Sequence, residues 1–306
     1  MKARIVWLLL AAIWGSTWLF IKLGLEDLPP ISFAGIRFVL ASLILWTIVA
    51  ARRAPLPRAG RDWSLIIKTG VLSFAVNYGL LFWGEQHISS GLAALLQATI
   101  PVFGLVLAHL YLPGERLTKA KVAGALMGVA GVGVIFSNQL TVAGPKALWG
   151  SAAIVAGAAC AAYSNVLIKA RGGQLDPPLL AAGQMTCGLV LLMAVGLATE
   201  GSPFDFHWTV RAVVSLLYLT VVGSVVAFLL YYWLVRNMDV TKTMLIALVT
   251  PFFAVLLGMA VLGERLTWRT LAGGALIMSG IGVVVWRRLR GAEEEDEIVE
   301  ASAASS

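Results

Sequence analysis

Apolar residues gather into ten windows along the chain, at about Ile5 to Leu25, Ile31 to Ala51, Ser64 to Gly84, Ser90 to Leu112, Lys119 to Phe136, Leu148 to Lys169, Pro178 to Ala198, Arg211 to Leu234, Thr241 to Leu262 and Arg269 to Trp286. Each is close to the ~20 residues a helix needs to cross a hydrocarbon core. Between them lie clear breakers: Pro29-Pro30, the Arg52 to Arg61 stretch, Pro113-Gly114, Gly144-Pro145, Pro177-Pro178 and Gly201 to Pro203. The pattern predicts an all-α integral membrane protein of ten transmembrane helices, with connections too short to hold another domain. Lys2 and Arg4 before the first window imitate a secretory signal, but no small-residue cleavage site ends it, so it is read as a retained first span.

Composition agrees. The 306 residues are 59% hydrophobic and 13% charged, with a mean hydropathy of +0.87; an ordinary soluble domain carries about 25% charge. A water-soluble globule is excluded. The net charge of +7 would suit nucleic acid if the cations formed a stripe, but they fall between the apolar windows. The partners expected are therefore a lipid bilayer and a small-molecule substrate, with no nucleic acid and with a monomer sufficient. Cys160 and Cys187 lie inside apolar runs and read as small buried hydrophobes. His109 has no Cys, His or acid at ligand spacing. Neither a metal nor a cofactor is expected, and no enzyme motif such as H-E-x-x-H or G-x-S-x-G occurs.

The cations set an orientation. With a cytoplasmic N-terminus, seventeen Lys and Arg fall on the inside and four, Lys146, Arg211, Arg265 and Arg269, on the outside; Lys22 and Arg37 lie within spans. That bias places both termini in the cytoplasm of an inner (plasma) membrane protein. Residues 292–306, with Glu293, Glu294, Glu295, Asp296, Glu297 and Glu300, read as an acidic, disordered cytoplasmic tail.

The second half repeats the first at a spacing of about 150 residues. Gly114-Glu115-Arg116-Leu117-Thr118 recurs as Gly263-Glu264-Arg265-Leu266-Thr267, Ala123-Gly124, Gly131 and Gly133 recur as Ala272-Gly273, Gly280 and Gly282, and Pro101-Val102-Phe103 is matched by Pro251-Phe252-Phe253. Each copy holds five spans, 1–140 and 141–291. Two copies with an odd number of crossings must insert in opposite senses, giving two inverted five-helix repeats, a common plan of secondary transporters.

Trp14-Gly15-Ser16, Gly35 with Arg37-Phe38, the Pro101 region and both Gly-Glu-Arg-Leu motifs resemble the EamA family of the drug/metabolite transporter superfamily. The resemblance covers all ten spans, and within the family the chain is similar to the YddG-type amino-acid exporters. It implies a basket of ten helices around a central cavity and export of small metabolites.

No Asp or Glu falls in mid-span. Glu85 ends the third window and reads as a solvated helix end. This favours facilitated diffusion of a metabolite by alternating access; the rival is a proton-driven pump for lipophilic cations. Polar groups in the spans must face a neighbouring helix or a watery route. Those taken as the substrate pathway are Trp14, Ser16, Thr17, Asn77, Tyr78, Gln97, Tyr163, Asn165, Gln184, Tyr231 and Thr250. Pro101 and Pro251 are matched hinge candidates, since each removes a helix donor. Lys22 and Arg37 are expected to snorkel, with Arg37 kept as a candidate contact for a substrate carboxylate. Gly124, Gly128, Gly131, Gly133, Gly273, Gly274, Gly280 and Gly282 are assigned to close helix packing.

Overall fold

The computed structural model describes residues 2–113, 118–138, 144–172, 175–237 and 246–304. The first Gly-Glu-Arg-Leu motif, residues 114–117, lies outside them. The described residues form helices and turns. Among the described residues nine helices are long and apolar enough to cross a membrane: span 1 Lys2–Gly24, span 2 Pro30–Ala51, span 3 Gly60–Glu85, span 4 Ser90–Tyr111, span 5 Lys119–Ser137, span 6 Gly144–Arg171, span 7 Pro177–Thr199, span 8 Val210–Tyr231 and span 10 Trp268–Trp286. The ninth, Ile246–Leu262, is shorter. The last helix runs on to Ala304, where a disordered tail was expected; Ala and Glu dominate this stretch and both are strong helix formers.

Helix ends follow the breakers. Pro30 and Pro177 occupy first-turn positions, where a missing N–H costs nothing. Ser89, Asp176 and Thr209 accept from the N–H groups of Leu92, Leu179 and Ala212. Two carboxylates from distant segments also cap helices. Glu200 accepts from Ile31 N and Ser32 N at 2.9 and 2.7 Å, and Glu264 from Ser90 N and Gly91 N at 2.7 and 3.1 Å. Both act at the bundle end holding residues 25–29, 86–89, 200–209 and 263–267, the end the charge bias assigns to the outside and called outer on that assignment.

Packing repeats with the sequence. Span 1 lies on span 9 as span 4 lies on span 6, and span 8 contacts spans 1 and 2 as span 3 contacts spans 6 and 7. Spans 2 and 7, and spans 5 and 10, are like-with-like pairs, and the first half of span 4 also packs on its counterpart, span 9. In the second pair a Cβ on Gly124 or Gly131 would press on the carbonyl oxygen of Gly280 or Gly273, and the reverse holds for a Cβ on Gly273 or Gly280. The two spans therefore run antiparallel with their backbones touching. Gly128 and Gly274 instead meet Val102 and Leu95 of span 4, while Gly133 and Gly282 face open space.

Spans 3 and 8 each contain a π-helical segment, Val71–Asn77 and Tyr218–Val226, at corresponding places in the two copies. Such segments insert a residue into the turn and are frequent at functional sites. Span 4 is broken between Gln97 and Ile100, with Pro101 in the first turn beyond the break, whereas Pro251 sits inside a continuous helix.

Candidate functional site

The two π-helices place the central residues. In span 8 the Ser224 hydroxyl donates to Leu219 O, five residues back, at 2.9 Å, and accepts from Arg37 Nε at 3.1 Å. In span 3 the Asn77 amide returns to Ser73 O at 3.4 Å. The segment also ends at Tyr78, whose ring centre lies 5.3 Å from the Arg37 guanidinium carbon.

Arg37 does not snorkel. It stands seven residues from the start of span 2, ~10 Å along the helix at 1.5 Å per residue, and only 3% of it is exposed. Nη1 has no hydrogen-bond partner, and no acidic side chain among the described residues pairs with the guanidinium. Its surroundings are aromatic. Tyr78 stacks on Phe74 at 5.8 Å and meets Phe38 edge-on at 4.9 Å. Phe74 leads to Phe228, Phe228 to Trp14 and Trp14 to Tyr231, with centroids 6.5, 6.3 and 5.5 Å apart. Phe20 stacks on Tyr218 at 3.8 Å, and Tyr218 shares a 2.6 Å hydrogen bond with Ser16. Thr17 donates to Trp14 O at 2.7 Å and turns its methyl toward Gly223. Trp14, Ser16, Thr17, Arg37, Tyr78 and Tyr231 thus form one constellation from spans 1, 2, 3 and 8.

The other pathway candidates fall elsewhere. Gln97 donates to Asn77 Oδ1 at 2.9 Å between spans 4 and 3, against Gly157 of span 6, and its own Oε1 has no partner. Gln184 is spent on Thr69 Oγ1 at 2.8 Å, while Ser164 donates to Thr69 O at 3.2 Å. Tyr163 lies against Tyr111 at 5.3 Å. Thr250 bonds back to Ile246 O within its own helix. Asn165 is exposed and joins none of these groups, because one helical residue turns the chain ~100° away from Ser164, which is buried. His109 is exposed, and no group of His, Cys, Asp and Glu that could hold a metal occurs among the described residues.

Sequence reading missed Tyr218, Phe74, Phe228 and Ser224, because an aromatic or a serine in an apolar window gives its depth but not its direction. It also misjudged Glu85 and Lys22. Glu85 is fully enclosed, at 0% exposure, and Lys22 Nζ donates to Glu85 O and Ile88 O, each at 2.6 Å. A helix C-terminus offers bare carbonyls, and an ammonium satisfies them better than the interface would.

Comparison with known proteins agrees with this architecture. A model of the EamA-like transporter family matches residues 2–137 and 148–286. The chain is 32% identical over 279 residues to the uncharacterized transporter YvbV of Bacillus subtilis, covering 90% of this chain and 88% of that one. It is 31% identical over 287 residues to the uncharacterized inner membrane transporter YedA of Escherichia coli K12, covering 90% and 89%. A solved crystal structure of another protein superposes with a TM-score of 0.67 at 21% identity, over 94% of this chain and 98% of that one, which shows the shared fold. With the sequence match spanning both five-helix halves, this chain is a multi-pass membrane protein of the EamA-like transporter family.

Proposed function

We propose that the chain exports small zwitterionic metabolites, most simply amino acids, across the inner membrane by alternating access, and that Arg37 receives the substrate carboxylate. The observation that carries this reading is the buried Nη1 without a partner. Desolvating a guanidinium costs several kcal/mol; the Ser224 hydrogen bond on Nε and the cation–π contact with Tyr78, the latter about 0.5–2 kcal/mol, return part of it, while Nη1 stays unpaired. The deficit favours an anionic group that arrives with the solute. Carboxylates pair with guanidinium in two parallel hydrogen bonds, and the rings of Tyr78, Phe74 and Trp14 supply an apolar wall for a side chain. A lipophilic cation is the poorer fit, because the same guanidinium repels it.

The halves 1–140 and 141–291 would rock about the paired π-helices and the prolines Pro101 and Pro251. With no acid at mid-span among the described residues, movement down the solute's own gradient is the expected energetics.

Counter-flow uptake of a panel of labelled amino acids into proteoliposomes tests this. Arg37→Gln is expected to raise KM roughly tenfold to a hundredfold, from the ~1.5–3 kcal/mol of a charged hydrogen bond, with Arg37→Lys recovering part of it. Folded protein with no uptake across the panel, or wild-type kinetics in Arg37→Gln, would overturn the assignment.

A further inference from the structure

At the outer end a second polar cluster lies apart from the central constellation. Both carboxylate oxygens of the enclosed Glu85 lack a hydrogen-bond partner, as does the hydroxyl of Ser90, also 0% exposed. The charged groups acting on Glu85 come from the elements packed around it: Lys22 of span 1 and Glu264 of the turn between spans 9 and 10. On its own side His87 follows two residues on; burial, then Lys146 and Lys22, hold its imidazole below the ordinary value. Lys22 already gives hydrogen bonds to two carbonyls, and Glu264 is fixed on the N–H groups of Ser90 and Gly91. Their charges cancel, so an ionised Glu85 would leave one net negative charge in a dry site with no donor aimed at it. A buried carboxylate in that position costs several kcal/mol, whereas the neutral acid costs far less.

The same residues close this end. Lys22 ties span 1 to the end of span 3, and Glu264 ties the span 9–10 turn to the start of span 4. An outward opening that parts span 1 from span 3, or the span 9–10 turn from span 4, would break these ties and wet Glu85.

We propose that Glu85 is a proton-binding site built into the outer gate, holding a proton while the gate is closed and releasing it to the outer solution when the gate opens. Because the proton enters and leaves from one side, it shifts the population of the outward-open state without drawing on the proton gradient. The closed state binds more protons, so external acid favours closure and external alkali favours opening, by roughly tenfold per pH unit for a single linked proton.

The test needs no substrate, so its failure leaves the Arg37 reading standing. Infrared titration of the purified full chain in sodium-free buffer is expected to show the carbonyl stretch of a protonated carboxylic acid at pH 7, absent from Glu85→Gln. A wild type lacking the band at pH 7, or a band that survives in Glu85→Gln, would overturn the proposal. Should Glu85→Gln not survive purification, Glu85→Asp is read instead: a displaced band supports the assignment and an unmoved one refutes it. For the gate, Ile88→Cys in a background without Cys160 and Cys187 is labelled with a membrane-impermeant maleimide. The labelling rate relative to the same cysteine in Glu85→Gln, which cancels the thiol's own pH dependence, is expected to rise about tenfold per pH unit; a flat ratio would refute the linkage.

Discussion

Asn77 and Gln97 share one hydrogen bond and leave Gln97 Oε1 bare, so Asn77→Leu strands a second group of Gln97 while Gln97→Leu frees Asn77. Each loss is worth roughly 1–3 kcal/mol where the stranded group stays dry. Both single variants are expected to express normally and transport severalfold more slowly, with the double variant milder than the product of the two; unchanged initial rates in proteoliposomes would remove the pair from the route. At the outer surface Asp27 is held at about 2 by hydrogen bonds from Arg211 and Thr209. Its folded value lies below the ordinary ~3.9, so the stabilisation is complete above pH ~4 and fades as the pH falls toward 2. Melting curves of wild type and Asp27→Asn in detergent should differ at pH 7 and converge near pH 2. Residue identity and depth were legible in the chain; direction was not. Arg37 and Glu85 show why: span 2 and the last turns of span 3, Tyr78–Glu85, are apolar on every side, so no amphipathic stripe tells which way a lone charge points.

At the scale of elements, the ten windows and their breakers marked the helices well, because hydrocarbon thickness fixes length and Pro or Gly ends a run. The π-helices of spans 3 and 8 left no such mark. A register slip of one residue changes backbone bonding without changing composition, and the Ser224 hydroxyl, reaching Leu219 O five residues back, follows it. The glycine repeats were read as packing, yet the sequence did not say which glycines meet. Gly124 and Gly131 press on backbone of span 10, which cannot yield as a side chain can, while Gly133 and Gly282 meet nothing. Gly124→Val or Gly131→Val is therefore expected to lower stability by about 1–3 kcal/mol and to depress the detergent melting temperature, whereas Gly133→Ala and Gly282→Ala should leave it nearly unchanged. Equal effects in the two sets would refute the contact.

For the molecule as a whole, the duplication sets the architecture, and the distribution of Lys and Arg is expected to set its sense in the membrane. Phe204, 96% exposed, and Leu56, 57% exposed, lie at opposite ends of the bundle. In a cysteine-free background, Phe204→Cys should react with an impermeant maleimide in intact cells and Leu56→Cys only after the cells are opened; the reverse pattern would exchange every use of outer and inner above. The seam between spans 5 and 10 has one more consequence. Four glycines interlock there, two from each copy, so neither copy can change alone at these positions. A side chain added to one side of this spine has to be met by room made in the other, so the two halves are constrained here as a single unit.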